Sequence, residues 1–336
     1  MNFAPGPKNL LTDVEGLLVG NSHDDRLKSG VTAVLCPPET VASVQVLGGA
    51  PGTRETDLLD PMNSVETIDA IALAGGSAFG LDAASGVQAA LREQGKGFVV
   101  GPFNIPLVPA AIIFDLYNGG DKDWGRYPPY RELGFDAANR AAADFEIGTT
   151  GAGYGALTAE IKGGLGSAST DMGNGLMVSA IAAVNSIGAT HIPGTKQFWA
   201  AAQEFGDEFG GLGLPSPMPE TTKSIPLKFR TINRWATNTT IGAVATNANL
   251  TKAQAKRLAV AAHDGIARAI WPAHTPMDGD LVFGLSTGKQ PGPKDPVGFA
   301  EICAVATMTM SRAIARGVYS ATPMDGDLFP AWSTLD

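Results

Sequence analysis

The residues best suited to chemistry in this sequence lie at one peptide bond, Asn238-Thr239, which precedes the apolar run at 241–245. A Thr released at a new chain start by cleavage of the bond before it carries a free α-amino group beside its hydroxyl. The unperturbed pKa of an α-amino group is about 7.7–8.0, so near neutral pH the amine can accept the hydroxyl proton. The pattern therefore predicts self-cleavage at Asn238-Thr239, with nucleophile and base on one residue. The structural alternative is an ordinary Thr that starts a strand and is never cleaved.

Composition excludes several classes of partner. A chain of 336 residues can form one large domain or two small ones, and we expect one domain over 1–336. The 24 Lys and Arg against 33 Asp and Glu give a net charge of −9, so nucleic acid and anionic membranes, which need a positive surface, are not expected partners. Cys36 and Cys303 are too few for a disulfide framework. With no signal-peptide pattern and no apolar run of about 18–20 residues, we expect a cytoplasmic protein.

Apolar periodicity and turn residues predict the elements that must position Thr239. Strands are predicted at 14–19, 30–35, 41–47, 68–74, 176–184, 240–246 and 281–286. Helices are predicted at 81–91, 136–145, from the capping box at Thr251, and at 297–316. Loops are predicted at 117–135 and 204–228, with a hairpin or loop at 151–169. Segment 204–228 has many Gly, Pro and Ser and no helical period, so it is interpreted as a flexible linker. A cleaved bond needs such slack before it, because the cut ends usually move apart.

One stretch of the chain is repeated. Residues 265–281 are echoed at 313–328, so an Asp-Gly-Asp turn occurs at Asp278 and Asp280 and again at Asp325 and Asp327. Two copies do not make a solenoid, and a local duplication is the simpler interpretation. Chemistry is assigned to the first copy because a clear strand follows it. The second copy is interpreted as structural, although the sequence leaves the role of 322–328 open.

Four motifs, at 48–57, 75–84, 162–169 and 238–242, occur in the order found in one family. From about residue 12 to 316 the chain resembles the L-aminopeptidase/D-esterase family, which includes the β-aminopeptidases and the endo-type nylon-oligomer hydrolases. The resemblance implies an α+β fold: a four-layer αββα sandwich like that of the N-terminal-nucleophile hydrolases, with different connectivity. It also implies cleavage into an α chain (1–238) and a β chain (239–336), and assembly into a tetramer or larger oligomer.

The resemblance also implies roles for the most polar candidates. Thr239 would be the nucleophile, first for its own bond and then for a substrate amide through an acyl-enzyme. Asn185 would stabilise the oxyanion, a contribution of roughly 3–4 kcal/mol for a preorganised donor. Asp278 and Asp280 would orient the Thr239 ammonium or bind a substrate amine. The structural alternatives are an Asn that satisfies a strand end and an Asp-Gly-Asp turn chosen for its backbone geometry.

Five further residues are candidates for proton transfer or for the substrate pocket. Lys162 corresponds to a segment where some relatives carry an active-site Lys, but Glu160 lies close by, so Lys162, Glu160 and the Thr239 amine all remain candidates for the proton-transfer group. Phe114 occupies a pocket position that is often Tyr. Gly76 and Ser77 are placed at the active-site wall, since their motif lacks the pattern of a phosphate-binding loop. The four histidines lack metal-ligand spacing, and no metal or organic cofactor is implied.

The sequence therefore predicts a self-processing amide hydrolase. The leading hypothesis is an aminopeptidase for short peptides, β-peptides or amino-acid amides, since the acidic turn suits a substrate with a free ammonium. One alternative is an endo-acting 6-aminohexanoate (nylon) oligomer hydrolase, which needs an open groove. Another is a non-catalytic relative that keeps the fold for binding or assembly, and its sign would be a chain that stays whole.

Overall fold

Two five-stranded sheets lie face to face in the computed structural model, which describes residues 3–232 and 238–335. The first sheet has the strand order β1-β2-β5-β8-β4, in which only β5 and β8 are parallel. Its strands are Leu18–Asp24 (β1), Ser29–Leu35 (β2), Thr53–Arg54 (β4), Ala70–Ala74 (β5) and Ala110–Ile112 (β8). The helices Ala83–Glu93 (α1) and Tyr130–Asn139 (α2) cover its outer face.

The second sheet contains the proposed cleavage site and has the order β3-β12-β11-β10-β9, with β11 and β12 parallel. Its strands are Val41–Val46 (β3), Gly164–Gly173 (β9), Leu176–Asn185 (β10), Thr239–Ala248 (β11) and Leu281–Gln290 (β12). The helices Lys252–Ala269 (α4) and Pro296–Tyr319 (α5) cover its outer face. Parallel strands need a long crossover connection, and α4 provides it between β11 and β12.

The remaining elements are short. A two-stranded hairpin joins Phe98–Val100 (β6) to Phe103–Ile105 (β7), and Lys228–Ile232 (α3) precedes the proposed cleavage site. Single 3₁₀ turns occur at Leu11–Asp13, Thr56–Leu59, Ser77–Asp82, Gly151–Gly153, Trp199–Gln203, Glu220–Lys223 and Trp332–Thr334.

Three apolar cores define four layers. One core lies between the first sheet and α1/α2, a second lies between the two sheets, and the third lies between the second sheet and α4/α5. Strands such as β2, which is buried along its whole length, therefore have an apolar layer on each side. This arrangement confirms the expected four-layer αββα sandwich.

The local predictions are correct for the long elements near the proposed cleavage site. The Thr251 side chain accepts a hydrogen bond from Gln254 N, and the two residues form the expected capping box of α4. Helix α5 covers the predicted 297–316 and extends it at both ends.

By length and apolar composition alone, helix α5 could cross a membrane, but the buried core helices of globular proteins meet the same two criteria. In this structure 56 % of its most apolar window is buried inside the protein.

Three local predictions are wrong in part. The helix predicted at 136–145 runs from Tyr130 to Asn139, because Tyr130 is fully buried against the first sheet and fixes the helix start inside the predicted loop. The strand predicted at 14–19 begins at Leu18. Residues 164–169 of the predicted hairpin or loop at 151–169 belong instead to the ten-residue strand β9. The polar segment between the two glycine runs of 151–169 does form a hairpin, in which Leu157 is bridged to Lys162. The glycines of β9 resemble turn residues, but Gly166 is required because a Cβ there would collide with the Ala313 carbonyl of α5.

The predicted linker 204–228 has little regular structure, but it is attached to the core. Glu208 accepts a 2.6 Å hydrogen bond from Arg312 Nε, and Phe209 is 2 % exposed. Lys228, at the other end of this segment, is also held, because its backbone N–H donates to Ile187 O at 2.9 Å.

Candidate active site

The proposed cleavage site lies at the start of β11, in the middle of the second sheet. Thr239 pairs with Asn185 at the end of β10, and on the other side the parallel register aligns Ile241 with Leu281 of β12. Because the starts of parallel strands meet at the same sheet edge, the turn before Leu281 lies beside Thr239. Asn238 is bridged to Asp278 in this turn, and Asn238 and Thr239 are 0 % and 2 % exposed.

Two donors converge on the carbonyl oxygen of Asn238. The Gly279 N–H donates to it at 2.8 Å, and the Thr239 hydroxyl donates to it at 2.5 Å. The proposed nucleophile therefore lies against the carbonyl that it would attack. A fixed backbone N–H on that oxygen is the kind of donor that stabilises a developing oxyanion. Sequence reasoning missed Gly279, although its place between Asp278 and Asp280 was a signal.

Gly279 has no room for a side chain. A Cβ at this position would lie 2.7 Å from Thr239 Oγ1 and 2.8 Å from the Ala50 carbonyl oxygen. The loop that contains Ala50 is hydrogen-bonded to the same turn, since Ala50 N–H donates to Asp278 O at 2.8 Å and Gly48 N–H donates to Asp280 O at 3.0 Å. The motif at 48–57 therefore supports the acidic turn and forms one wall of the site.

The two carboxylates of the turn have different surroundings. Asp280 is 2 % exposed and accepts hydrogen bonds from Thr240 N at 2.6 Å and from His274 Nδ1 at 2.8 Å. Asp278 is 1 % exposed and accepts a 2.8 Å bond from Thr275 N at Oδ2, while its Oδ1 makes no hydrogen bond within the described part of the chain.

Burial raises the pKa of Asp278 to about 6, and the charge of Asp280 adds to that rise. Hydrogen bonding from Thr275 and the nearby amide of Ile187 act in the opposite direction. Asp278 can therefore exchange a proton near neutral pH.

Asn185 is held on three sides. Its Oδ1 accepts from Leu157 N at 3.0 Å and from Lys228 Nζ at 3.1 Å, and its Nδ2 donates to Phe114 O at 2.8 Å. One Nδ2 proton remains for another acceptor. The expected oxyanion role of Asn185 stays a prediction, with an amide that is already oriented.

Lys228 is a site residue that sequence reasoning missed. It is 3 % exposed, and its ammonium also donates to the main-chain oxygen of Asn185 at 3.2 Å. Burial lowers the pKa of Lys228 to about 7, against the opposing effect of Asp278 and Asp115. Its only signal was a lone Lys in the apolar stretch 225–229, inside a segment interpreted as linker.

Lys162 and Glu160 have partners of their own. Lys162 Nζ forms a 2.7 Å ion pair with Asp327 of the second Asp-Gly-Asp copy, and burial lowers the Lys162 pKa. Glu160 lies 3.1 Å from His191 Nε2, and this hydrogen bond lowers the Glu160 pKa. The second copy therefore binds a candidate residue, and the proton-transfer roles of Lys162 and Glu160 stay predictions.

The motif containing Gly76 and Ser77 surrounds a buried carboxylate. Gly76 N–H donates to Asp115 Oδ1 at 2.7 Å, and Gly76 has φ +83°, at a place where a Cβ would collide with the Tyr130 ring. Ser77 also has positive φ, 54°. Phe114, next to Asp115, contributes its carbonyl to Asn185. The expected substrate contacts of Gly76, Ser77 and Phe114 stay predictions.

Within 3–232 and 238–335, no group of three or more His, Cys, Asp or Glu side chains could hold a metal ion.

Comparison with known proteins identifies related sequences over most of the chain. The profile of peptidase family S58 matches residues 9–328. A protein of Mycobacterium tuberculosis named as an uncharacterized aminopeptidase is 41 % identical over 349 residues, which cover 96 % of this chain and 98 % of that protein. A 6-aminohexanoate-oligomer endohydrolase of Kocuria sp. is 27 % identical over 304 residues, covering 87 % of this chain and 78 % of the enzyme.

A solved structure shares the fold. The L-aminopeptidase D-Ala-esterase/amidase of Ochrobactrum anthropi, described as a variant of the N-terminal-nucleophile hydrolase fold, superposes with a TM-score of 0.68 at 20 % identity. The match covers 98 % of this chain and 93 % of that enzyme. At this identity the likeness concerns the fold, and chemistry must be argued from the site.

We expect Gly279→Ala to slow cleavage between Asn238 and Thr239 by about 100-fold, because the new methyl group displaces the Thr239 hydroxyl by a fraction of an ångström or more. The measurement is the fraction of cleaved chain against time on a denaturing gel. Gly298→Ala is the matched control, because a Cβ there meets its nearest neighbour at an ordinary 3.6 Å. Equal cleavage rates in the two variants would contradict the packing argument.

Proposed function

The chain belongs to peptidase family S58 and has the N-terminal-nucleophile hydrolase fold, and we propose that Thr239 is its nucleophile. The observation that carries the proposal is the pair of donors on the Asn238 carbonyl, the Thr239 hydroxyl and the Gly279 N–H. In self-cleavage a bond forms between Thr239 Oγ1 and the Asn238 carbonyl carbon. The Asn238–Thr239 C–N bond breaks, and the hydroxyl proton ends on the released amine. Water then hydrolyses the ester, leaving Thr239 at a new chain start.

The same atoms then hydrolyse a substrate amide. The Thr239 amine takes the hydroxyl proton, the oxygen attacks the substrate carbonyl, and the proton passes to the leaving amine. Gly279 N–H and the remaining Asn185 Nδ2 proton are the donors available to the oxyanion. Water then attacks the acyl-enzyme and regenerates the hydroxyl. Asp278, with its pKa of about 6, is suited to exchange protons with the Thr239 amine.

The proposed substrates are short peptides, β-peptides or amino-acid amides with a free amine. Asp278 and Asp280 are almost fully buried, whereas the Glu160 side chain is 41 % exposed, so Glu160 is the carboxylate that can meet a substrate ammonium. Glu160 lies at the same sheet end as Asn185, because the neighbouring Ala159 N–H donates to Gly188 O at 3.1 Å. The aminopeptidase name of the 41 % identical relative supports this choice. The 27 % identical endohydrolase keeps endo-cleavage of 6-aminohexanoate oligomers as the second candidate.

We also propose that the protein assembles with copies of itself through the hairpin of β6 and β7. In this hairpin Phe98 pairs with Ile105 and Val100 pairs with Phe103, so these four side chains share one face. All four are between 42 % and 65 % exposed. A cluster of large apolar side chains on the surface is typical of an interaction site.

Thr239→Ala is expected to remain a single chain of 34.6 kDa, because it lacks the attacking oxygen, while the wild type separates into two chains. Mass spectrometry of the intact proteins after long incubation measures this. Thr240→Val is the matched control, since it changes the neighbouring hydroxyl and keeps the N–H that binds Asp280. A wild-type chain that stays whole would favour a non-catalytic protein.

Glu160→Gln is expected to raise KM for free-amine substrates about tenfold, the loss of roughly 1.4 kcal/mol from one charge-assisted contact. N-acetylated oligomers should be affected little. The measurement is KM for matched free and acetylated substrates, with the exposed Glu132→Gln as the control. An equal effect on both substrates would remove the ammonium argument, and better cleavage of acetylated oligomers would favour the endo-hydrolase.

The double change Phe98→Glu with Phe103→Glu is expected to lower the oligomer mass, because it places charges in the apolar face of the hairpin. Light scattering on a size-exclusion column measures the mass. Met62→Glu is the control, since Met62 is 93 % exposed and lies outside the hairpin. An unchanged mass in the double variant would place any interface elsewhere.

A further inference from the structure

Behind the acidic turn, two histidines form a hydrogen-bonded chain that the mechanism above does not use. His274 Nδ1 lies 2.8 Å from Asp280 Oδ2, and His274 Nε2 lies 3.3 Å from His263 Nδ1. The other nitrogen of that second ring, His263 Nε2, lies 2.9 Å from the Gln45 carbonyl oxygen of β3. This row of hydrogen bonds therefore runs from helix α4 to the Asp280 carboxylate, which also binds Thr240 N.

The hydrogen-bonding capacity of each atom fixes the protons in this chain. A carbonyl oxygen can only accept, so His263 Nε2 must carry a proton toward Gln45. A neutral His263 then has an acceptor at Nδ1. His274 Nε2 faces that acceptor and also lies 3.5 Å from the His263 carbonyl oxygen, which accepts as well. Because both neighbours accept, His274 Nε2 must carry a proton.

The opposite side of the His274 ring faces the carboxyl group of Asp280. Asp280 Oδ1 accepts from Thr240 N at 2.6 Å, and Oδ2 accepts from the backbone N of His274 at 3.1 Å. A carboxylate that already accepts one backbone N–H at each oxygen is favoured in its charged form. His274 Nδ1 must then donate to Oδ2, so both ring nitrogens of His274 carry protons.

We propose that the imidazole of His274 is permanently protonated. As a positioning residue it keeps Asp280 ionised, and Asp278 is thereby the carboxyl that exchanges protons with Thr239. The assignment of that exchange rests on the proposed function, whereas the charge of His274 does not. The carboxylates of Asp278 and Asp280, with one residue between them, repel each other and would otherwise compete for one proton. A fixed cation on one of them decides which carboxyl holds that proton.

The charged groups around the two histidines favour a proton on His274 and not on His263. Asp280 and Asp278 raise the pKa of His274 against the effect of burial, whereas burial lowers the pKa of His263 to about 4. His274 also opposes a charge on His263, while Asp280 and Asp264 favour one. His263 is 2 % exposed and is therefore the neutral partner of the pair.

The charge can be measured directly by nitrogen NMR of the wild-type protein labelled at histidine. His274 is expected to show protons on both ring nitrogens at about pH 8, where an unperturbed imidazole with a pKa of about 6.5 is almost entirely neutral. Its signals are assigned by their loss in His274→Asn. A singly protonated His274 ring at that pH would overturn the proposal, whether or not the chain cleaves itself.

The consequence for catalysis is tested by the pH profile of kcat/KM in His274→Asn. Asn tolerates the φ of +54° at this position and can still donate a neutral hydrogen bond to Asp280, so the variant removes mainly the charge. The acidic limb is expected to move to higher pH by about one unit, because the pair of carboxyls at Asp278 and Asp280 holds its shared proton more tightly once the neighbouring cation is removed. An acidic limb that stays in place, with only a uniform loss of activity, would overturn the proposal.

His23→Asn is the matched control, because its imidazole stacks on Tyr154 and lies outside the acidic turn. Its acidic limb should coincide with that of the wild type. Failure of the two proposals would look different. A wild type without cleavage or hydrolysis would contradict the proposed function and leave the NMR result standing, whereas a neutral His274 in an active enzyme would contradict only the present inference.

Discussion

Strands β11 and β12 pair in parallel, and this pairing sets the positions of Thr239 and the acidic turn. In this register Ile241 lies opposite Leu281, so the residues that precede this pair on the two strands must be neighbours. Thr239 is thereby placed against Gly279, and Asn238 against Asp278. Parallel strands cannot be joined by a tight turn, and α4 returns the chain across the outer face of the sheet. The same helix carries His263 to the back of the turn, so the crossover that creates the register also supplies the group behind Asp280.

Burial gives this arrangement its chemistry. Asn238, Thr239, Asp278 and Asp280 are all at most 2 % exposed, so charges interact there more strongly than they would in water. Asp278 and Lys228 respond by moving their pKa values to about 6 and about 7, from opposite directions. Such shifts are typical of sites that transfer protons near neutral pH. Tight packing holds the geometry, since Gly279 leaves no room for a methyl group beside the Thr239 hydroxyl.

The sequence predicts those parts of the fold and site that depend on local patterns. The capping box at Thr251, the long apolar helix α5 and the strand after Thr239 were readable because each is set by neighbouring residues. Strand β9 was missed because its glycines are required by helix α5, far away in sequence, and not by a turn. The same reason explains why the sequence did not reveal Lys228, His263 and His274. Nothing in the local sequence shows that Lys228 contacts Asn185 or that two histidines eleven residues apart are joined by a hydrogen bond.

In the proposed mechanism Thr239 becomes the first residue of a new chain, and its amine accepts the proton of its own hydroxyl. End-group sequencing of the smaller chain from active protein tests this most directly. If Thr239 is released in this way, the sequence obtained is Thr-Thr-Ile-Gly, from residues 239–242. Active protein whose only chain start is the original one, or whose second chain begins at any other residue, would contradict it.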